Sequence, residues 1–245
     1  MPRRAGLNDI IFGLWTGDNP MNDNRRRGWE SFAVTGLKPM LITPANLGEW
    51  IVPHEQLHPA YPLLSLLHRA DYLRAYFMFH HGGGYSDIKE NKASWVEAVE
   101  AVKRSPRLIA AGYREIRGGT GLPSASLVNG RPFLLGRPVA PWQASVVTYA
   151  MRAARPLMMG NGAYFFRPRT RLARRWLDAI HQRLDILHPL LVKNPAREIR
   201  EYVGGPSGYP VPWGFMHGDV LSLLSMLYMG RIALTLPRPS FEDYL

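Results

Sequence analysis

One continuous passage constrains this chain more than any other: a helix that runs into three glycines, with a strand beginning straight after them. It reads His68-Arg69-Ala70-Asp71-Tyr72-Leu73-Arg74, then an apolar and aromatic run, then Gly82-Gly83-Gly84-Tyr85-Ser86-Asp87-Ile88-Lys89. Helical spacing spans Pro62 to His81, with proline suited to the first turn and Gly82 to the C-terminal cap. Leu63, Leu66, Leu67, Ala70, Leu73 and Phe77 form the expected core stripe. His68, Asp71, Arg74 and Met78 fall on the neighbouring stripe, so Asp71 and Arg74 project together from one side. Gly84 to Ile88 reads as a short strand that carries Asp87 to its far end. A helix feeding a strand in this way belongs to a layered α/β sheet.

The other segments alternate in the same manner. Asp9 to Trp15 reads as a buried strand, Trp29 to Val34 as a short helix and Lys38 to Thr43 as a second strand. Ser94-Trp95-Val96-Glu97 has the form of a capping box that opens a helix reaching about Lys103. Leu108 to Tyr113 is strand-like, and Asn129-Gly130 predicts a type I′ hairpin turn. Trp142 to Ala154 reads as a helix, Ala163 to Phe166 as a strand and Thr170 to His188 as a long amphipathic helix. Gly204-Gly205-Pro206 breaks the chain, a helix follows Asp219 to Met229, and Arg231 to Leu236 ends the series as a strand. The prolines and glycines are scattered and 46% of residues are hydrophobic, so residues 1–245 read as one domain with a sizeable core. Tyr85, Trp95, Trp142 and Trp176 are expected in that core.

The chain carries 30 Lys and Arg against 19 Asp and Glu, for a net charge of +11. Arg25-Arg26-Arg27, Arg152, Arg155 and the run from Arg167 to Arg175 supply much of it. Such a balance suits anionic partners: nucleic acid, acidic lipid headgroups or phosphorylated substrates. It equally suits a plain solvated surface, and Arg174, Arg175 and Arg183 take outer-face positions on their predicted helix. There is no cysteine, which excludes disulfides and thiolate metal sites. Val220 to Met229 is interrupted by Ser222 and Ser225 and falls short of the ~20 residues of a membrane span. Basic Met1-Pro2-Arg3-Arg4 precedes only a short apolar run, Ile10 to Trp15, unlike a secretory leader. The expectation is a cytoplasmic protein able to touch the anionic inner face of a membrane.

Each piece of the central passage has an ordinary reading. Asp71 and Arg74 alone fit an i,i+3 surface ion pair worth a few tenths of a kcal/mol. Gly82-Gly83-Gly84 alone fits a helix stop. It is neither a Walker loop nor a dinucleotide fingerprint, because no Gly-Lys-Ser/Thr follows and the helix precedes the glycines. The order of the pieces is more specific than any of them. Ala70-Asp71-Tyr72-Leu73-Arg74, Gly-Gly-Gly-Tyr85, Ser86 and Asp87 together resemble the Asp-x-Asp sugar-binding region of glycosyltransferase family 32 and its relatives, which include capsular polysaccharide synthesis glycosyltransferases and glucosylating toxin domains. The match covers about twenty residues. Looser similarity reaches Ile11-Phe12-Gly13-Leu14-Trp15-Thr16-Gly17 at one end and Trp213-Gly214-Phe215-Met216-His217-Gly218 at the other.

The resemblance implies a GT-A type α/β fold: a Rossmann-like, mostly parallel sheet flanked by helices, with a donor at the strand ends. It implies a retaining transfer of sugar from a nucleoside diphosphate to a glycan or lipid-linked acceptor, in capsule or surface polysaccharide assembly. Trp15 and Thr16 are then expected near the base. Asp71, Arg74, Gly83, Gly84, Tyr85 and Asp219 are expected around the donor, and Asp87, Lys89 and His217 at the reacting diphosphate. Members of the family mostly use Mn2+ or Mg2+, which Asp87 could help to hold.

Lys89 departs from that pattern, because it occupies the place of the second Asp. A divalent ion on a diphosphate wants a firm carboxylate, and an ammonium there reverses the charge. Either Lys89 replaces the metal, or Asp87 joins His217 or Asp219 in a weaker metal site; the first, metal-independent reading is favoured because Arg74 is already there to share the charge. A third option is a protein that binds the donor and transfers poorly. His217 beside Gly218-Asp219 lies where a helix N-terminus attracts anions, although Asp219 could simply cap that helix. His80 and His81 sit at the helix end beside the glycines and either could serve as a base, but nothing selects one. A rival class, a basic nucleic-acid-binding protein, lacks aromatics interleaved with the arginines and any known reader motif, so no specific nucleic acid is expected as a partner.

Overall fold

The computed structural model describes residues 9–116, 118–205 and 207–242; basic Met1 to Arg4 and Pro206 lie outside them. Strands β1 (Ile10–Leu14), β2 (Lys38–Ile42), β3 (Gly83–Ser86), β4 (Ala110–Arg114), β8 (Met159–Phe166) and β9 (Ile232–Ala233) make one sheet in the order β2-β1-β3-β8-β4-β9. β1 pairs in parallel with β2 and β3, and β4 with β9. β8 runs antiparallel to both β3 and β4, so the sheet is mixed and β8 alone opposes its direction. A small second sheet holds β5 (Leu127–Val128), β6 (Arg131–Leu134) and β7 (Arg137–Pro138). Val128 pairs with Arg131 across Asn129 and Gly130, whose φ values of 49° and 73° are those of the expected type I′ turn.

The helices are α1 (Asp23–Glu30), α2 (Leu66–His80), α3 (Val96–Arg104), α4 (Pro141–Ala154), α5 (Arg171–Lys193) and α6 (Gly218–Leu227). They cover both faces of the large sheet, which is why its strands are apolar in succession instead of alternating with polar residues. Phe12, Tyr85, Ala110, Tyr164 and Phe166 point into a core with α2, α5 and α6. Their neighbours Ile11, Ala111 and Phe165 point into the opposite core with Phe32, Trp95, Val99 and Val102. Among the described residues, no helix is long and apolar enough to cross a membrane.

Several expectations need correction. α2 starts at Leu66 with Ser65 as its N-cap, and Pro62 sits in a separate 3-10 turn. The helix is wedged between sheet and α5, so it is buried nearly all round. Its polar-looking stripe, His68 and Asp71, is buried with Tyr72 and Tyr76, whereas Leu66, Leu67 and Ala70 are only partly covered. The segment 29–34 divides between α1 and a 3-10 turn at Ser31–Thr35. Ser94 caps nothing in box fashion: α3 begins at Val96, and the Ser94 hydroxyl meets Val96 N and the Thr35 carbonyl. α5 continues through Pro189, which lies on its exposed side. Trp142 is not core but 67% exposed, and Arg183 is not on an outer face but wholly buried.

Candidate functional site

Parallel strands point their carboxyl ends at a common edge, and residues just beyond those ends are free of the ladder. Here β1 delivers Trp15 and Thr16, β3 delivers Asp87 and Lys89, and β4 delivers Glu115 to one cleft of about 830 Å³. The middle of α2 adds Asp71 and Arg74, and the start of α6 adds His217 and Asp219. Gly82 and Gly83 take left-handed φ values of 63° and 84°, which turns the chain sharply from α2 into β3. Gly84 is needed for packing: a Cβ there would stand 3.2 Å from both Leu37 and Trp95. Gly83 and Gly84 therefore shape the approach to the site from inside the sheet and do not line the cleft, contrary to the expectation of donor contact.

Arg74 is the hub of the cleft floor. Its Nη2 lies 3.0 Å from Asp87 Oδ1, and its Nη1 3.5 Å from Asp71 Oδ1. Nη1 also donates to His217 Nδ1 at 2.8 Å. Asp87 Oδ1 accepts the Tyr85 hydroxyl at 2.8 Å, and Lys89 Nζ lies 3.1 Å from Asp87 Oδ2. The Tyr85 ring itself sits beneath the Arg74 guanidinium, 4.8 Å away, and is otherwise buried. The Asp71–Arg74 pair is thus no surface pair, since both side chains are nearly covered.

The surroundings push these groups apart. Burial opposes ionisation of Asp87, but Arg74, Lys89 and the Tyr85 hydroxyl outweigh it and hold its carboxyl down at about 2. Burial dominates at Asp71, and Arg74 only partly offsets it, so that carboxyl is pushed up to about 6. Burial and the neighbouring Arg74 charge hold His217 well below the usual histidine range. His217 is therefore a neutral acceptor stacked on Trp176 at 5.7 Å, which fixes Arg74 in place.

The outer parts of the cleft are tied down by backbone contacts. Thr16 Oγ1 donates to Leu66 O at 2.7 Å and Trp15 Nε1 to Asn19 O at 2.6 Å, joining the end of β1 to α2 and to its own loop. Asp219 is not a side-chain cap; its Oδ1 accepts Leu122 N at 2.9 Å and anchors the 118–122 loop to α6. Gly121 lets that loop lie against the Gly218 backbone. His80 and His81 face away: His80 packs on Tyr76 and Phe79, His81 Nε2 donates to Trp50 O at 2.8 Å, and neither lines the cleft.

Sequence reading missed Arg25, Asn19, Glu115 and Asn161, all of which line the cleft. Arg25 donates to Ile88 O at 2.9 Å, beside Lys89. Glu115 accepts Ile116 N and Asn161 Nδ2 at 2.8 and 3.1 Å. Its place just past a predicted strand was a usable signal; Arg25 was hidden in a run of three arginines.

The residues do not fit a divalent ion. Both oxygens of Asp87 already face a cation, Oδ1 that of Arg74 and Oδ2 that of Lys89. The alternative set with His217 is blocked by Arg74, and Asp219 is bound to Leu122. Among the described residues no three His, Asp or Glu gather as a metal site. No known family model matches this chain, and no curated protein matches its sequence.

Proposed function

We propose that this protein is a glycosyltransferase of GT-A type. It moves a sugar from a nucleoside diphosphate donor onto a glycan or lipid-linked acceptor, in capsular or other surface polysaccharide assembly. The observation that carries this reading is the Arg74–Asp87–Lys89 chain of charges on the floor of a cleft at the strand ends. An open α/β sheet binds ligands there, and the volume lies within the range of small-molecule sites.

The chemistry needs positive charge where the diphosphate leaves and carboxylates where sugar hydroxyls sit. Lys89 and Arg25 supply the first and Asp87 the second, with Arg74 able to add to the first or to donate to a sugar oxygen. Asp87 stays ionised at every physiological pH, so it accepts hydrogen bonds and cannot donate a proton. Neutral His217 is a positioning residue for Arg74. Trp15 offers an apolar face to the base. In a retaining reaction the departing phosphate oxygen takes the acceptor proton on the same face, so no separate base is required.

A thermal-shift panel of nucleoside diphosphate sugars, with manganese and with chelator, tests the proposal. At least one donor raises the melting temperature in both conditions, and Asp87→Ala removes that shift and sugar transfer while the protein still folds. Absence of any donor shift, with steeply salt-dependent binding to generic DNA, would replace this reading by the nucleic-acid one.

A further inference from the structure

A surface helix normally shows one apolar face and turns it inward. α4 shows two. Ala144, Thr148 and Met151 are buried against the body of the protein. Directly opposite, at i, i+4 and i+7, stand Trp142, Val146 and Tyr149, which are 67%, 61% and 77% exposed. Exposed Ala153 continues the line, and Leu157, 57% exposed, follows just past the helix end. Three large apolar side chains in one row on a helix about 21 Å long are a patch with a purpose, unlike scattered surface hydrophobics.

The stretch of chain that carries that row has charge of a single sign. No Asp or Glu occurs between Glu115 and Asp178. Arg152 flanks the row on α4 itself, and exposed Arg131 and Arg137 project from the small sheet on which α4 packs. Arg114, also exposed, donates to Pro156 O at the C-terminal end of the helix. Tryptophan and tyrosine are the side chains that settle at a bilayer interface, and arginines beside them meet anionic headgroups.

We propose that the outer face of α4 docks the protein flat on an anionic lipid bilayer, with Trp142, Val146 and Tyr149 entering the headgroup boundary and Arg131, Arg137 and Arg152 pairing with acidic headgroups. This surface is separate from the cleft floor, and the proposal stands whatever the cleft binds. Its geometry has a consequence for the cleft all the same. Ser124 N donates to Thr148 Oγ1 at 3.2 Å, which fastens α4 to the 118–126 segment on the cleft rim. Thr148 is on the inward face of α4, so docking through the outer face holds that rim about one helix diameter, ~10 Å, behind the membrane surface.

Vesicle flotation provides the test. Vesicles of phosphatidylglycerol and phosphatidylcholine in equal parts carry the wild-type protein upward, and pure phosphatidylcholine vesicles carry much less. The double variant Trp142→Ser, Tyr149→Ser loses about tenfold in vesicle affinity at unchanged melting temperature. The triple variant Arg131→Glu, Arg137→Glu, Arg152→Glu loses the preference for anionic lipid. Brominated lipid quenches wild-type fluorescence more than that of Trp142→Phe. Wild-type protein that fails to float, or a double variant that floats equally well, overturns the proposal. So does a concentration-dependent dimer that the double variant abolishes without any vesicle binding, because the occupant is then a second copy of the chain. Oligonucleotide binding lost in the triple variant, again without vesicle binding, overturns it in favour of nucleic acid.

Discussion

Arg74 stands on the cleft side of α2 and Arg183 on the inner side of α5; both are covered by protein, and their partners differ in kind. Arg74 faces two carboxylates, Asp71 and Asp87, and a neutral histidine. Among the described residues Arg183 faces backbone carbonyls, those of Leu135, Phe215 and Phe133, and the rings of Phe215 at 4.4 Å and Phe133 at 5.7 Å. Burial without a close carboxylate lowers its guanidinium to about 10, with distant Asp219 offsetting part of the loss. Carbonyl partners cannot leave without unravelling the hairpin β6–β7 and the loop before α6. Carboxylate partners can trade places with an incoming anion. One region thus uses a buried cation as a fixed bolt, and the other holds a cation that a ligand can recruit.

The largest effect expected from this contrast is on folding. Arg183→Met leaves three carbonyls without donors and removes a stitch between three segments, at a cost of about 3–5 kcal/mol. Chemical denaturation measures it, and Arg183→Lys restores only part, because an ammonium cannot fork towards separate carbonyls. A loss under about 1 kcal/mol would break the contrast, since an ordinary surface change costs no more. On the cleft side the expected effect falls on binding. Lys89→Ala removes one charge-assisted contact, worth roughly tenfold to a hundredfold in nucleoside diphosphate affinity by titration calorimetry. It also lowers the denaturation midpoint, because Lys89 helps to keep buried Asp87 ionised, but by less than Arg183→Met, because Asp87 keeps Arg74. Lys89→Asp sharpens the test further: it rebuilds the two-carboxylate spacing, and donor binding then becomes dependent on manganese.

How much of this was legible in the sequence follows from the range of the forces involved. The α2-to-β3 passage, the Asn129-Gly130 turn and the positions of most strands are local events, set by helical period, glycine and turn chemistry. Those could be read directly. The burial of α2 on nearly every side could not, because a helix wedged between sheet and α5 takes its solvent exposure from neighbours more than a hundred residues away. Arg183 misled for the same reason: charge alone suggested solvent, while its partners come from Phe133, Leu135 and Phe215. Gly84 looked like part of a ligand loop and proved to be a packing glycine against Leu37 and Trp95. Trp142 showed the reverse failure, since nothing in its local sequence says which of two apolar faces α4 turns inward. In the candidate site, Asp71, Arg74, Asp87, Lys89 and His217 do meet, whereas Arg25 and Glu115 had no local pattern to mark them.

The smallest expected effect concerns the two carboxylates on the Arg74 guanidinium, which burial and charge move in opposite directions. Asp87 sits at about 2, below its unfolded value, so it stabilises the fold above the ordinary carboxylate range and loses that only as pH falls towards 2. Asp71 sits at about 6, above its unfolded value, so its contribution is complete below pH 4 and is lost as pH rises through 6. Between pH 4 and 7 Asp87 is therefore constant and Asp71 alone of the pair changes. His68 and His80, both lowered to about 4 by burial, also titrate across this window. They do so alike in wild type and variant and cancel in the difference. Asp71→Asn, which cannot ionise, should thus gain on the wild type as pH rises from 4 to 7, by on the order of 2 kcal/mol. Paired urea denaturations at the two ends of that range measure the gain. A difference that is flat with pH would mean that Asp71 ionises as easily folded as unfolded; Arg74 would then hold two full carboxylate charges, and its readiness to accept an anionic ligand would be correspondingly smaller.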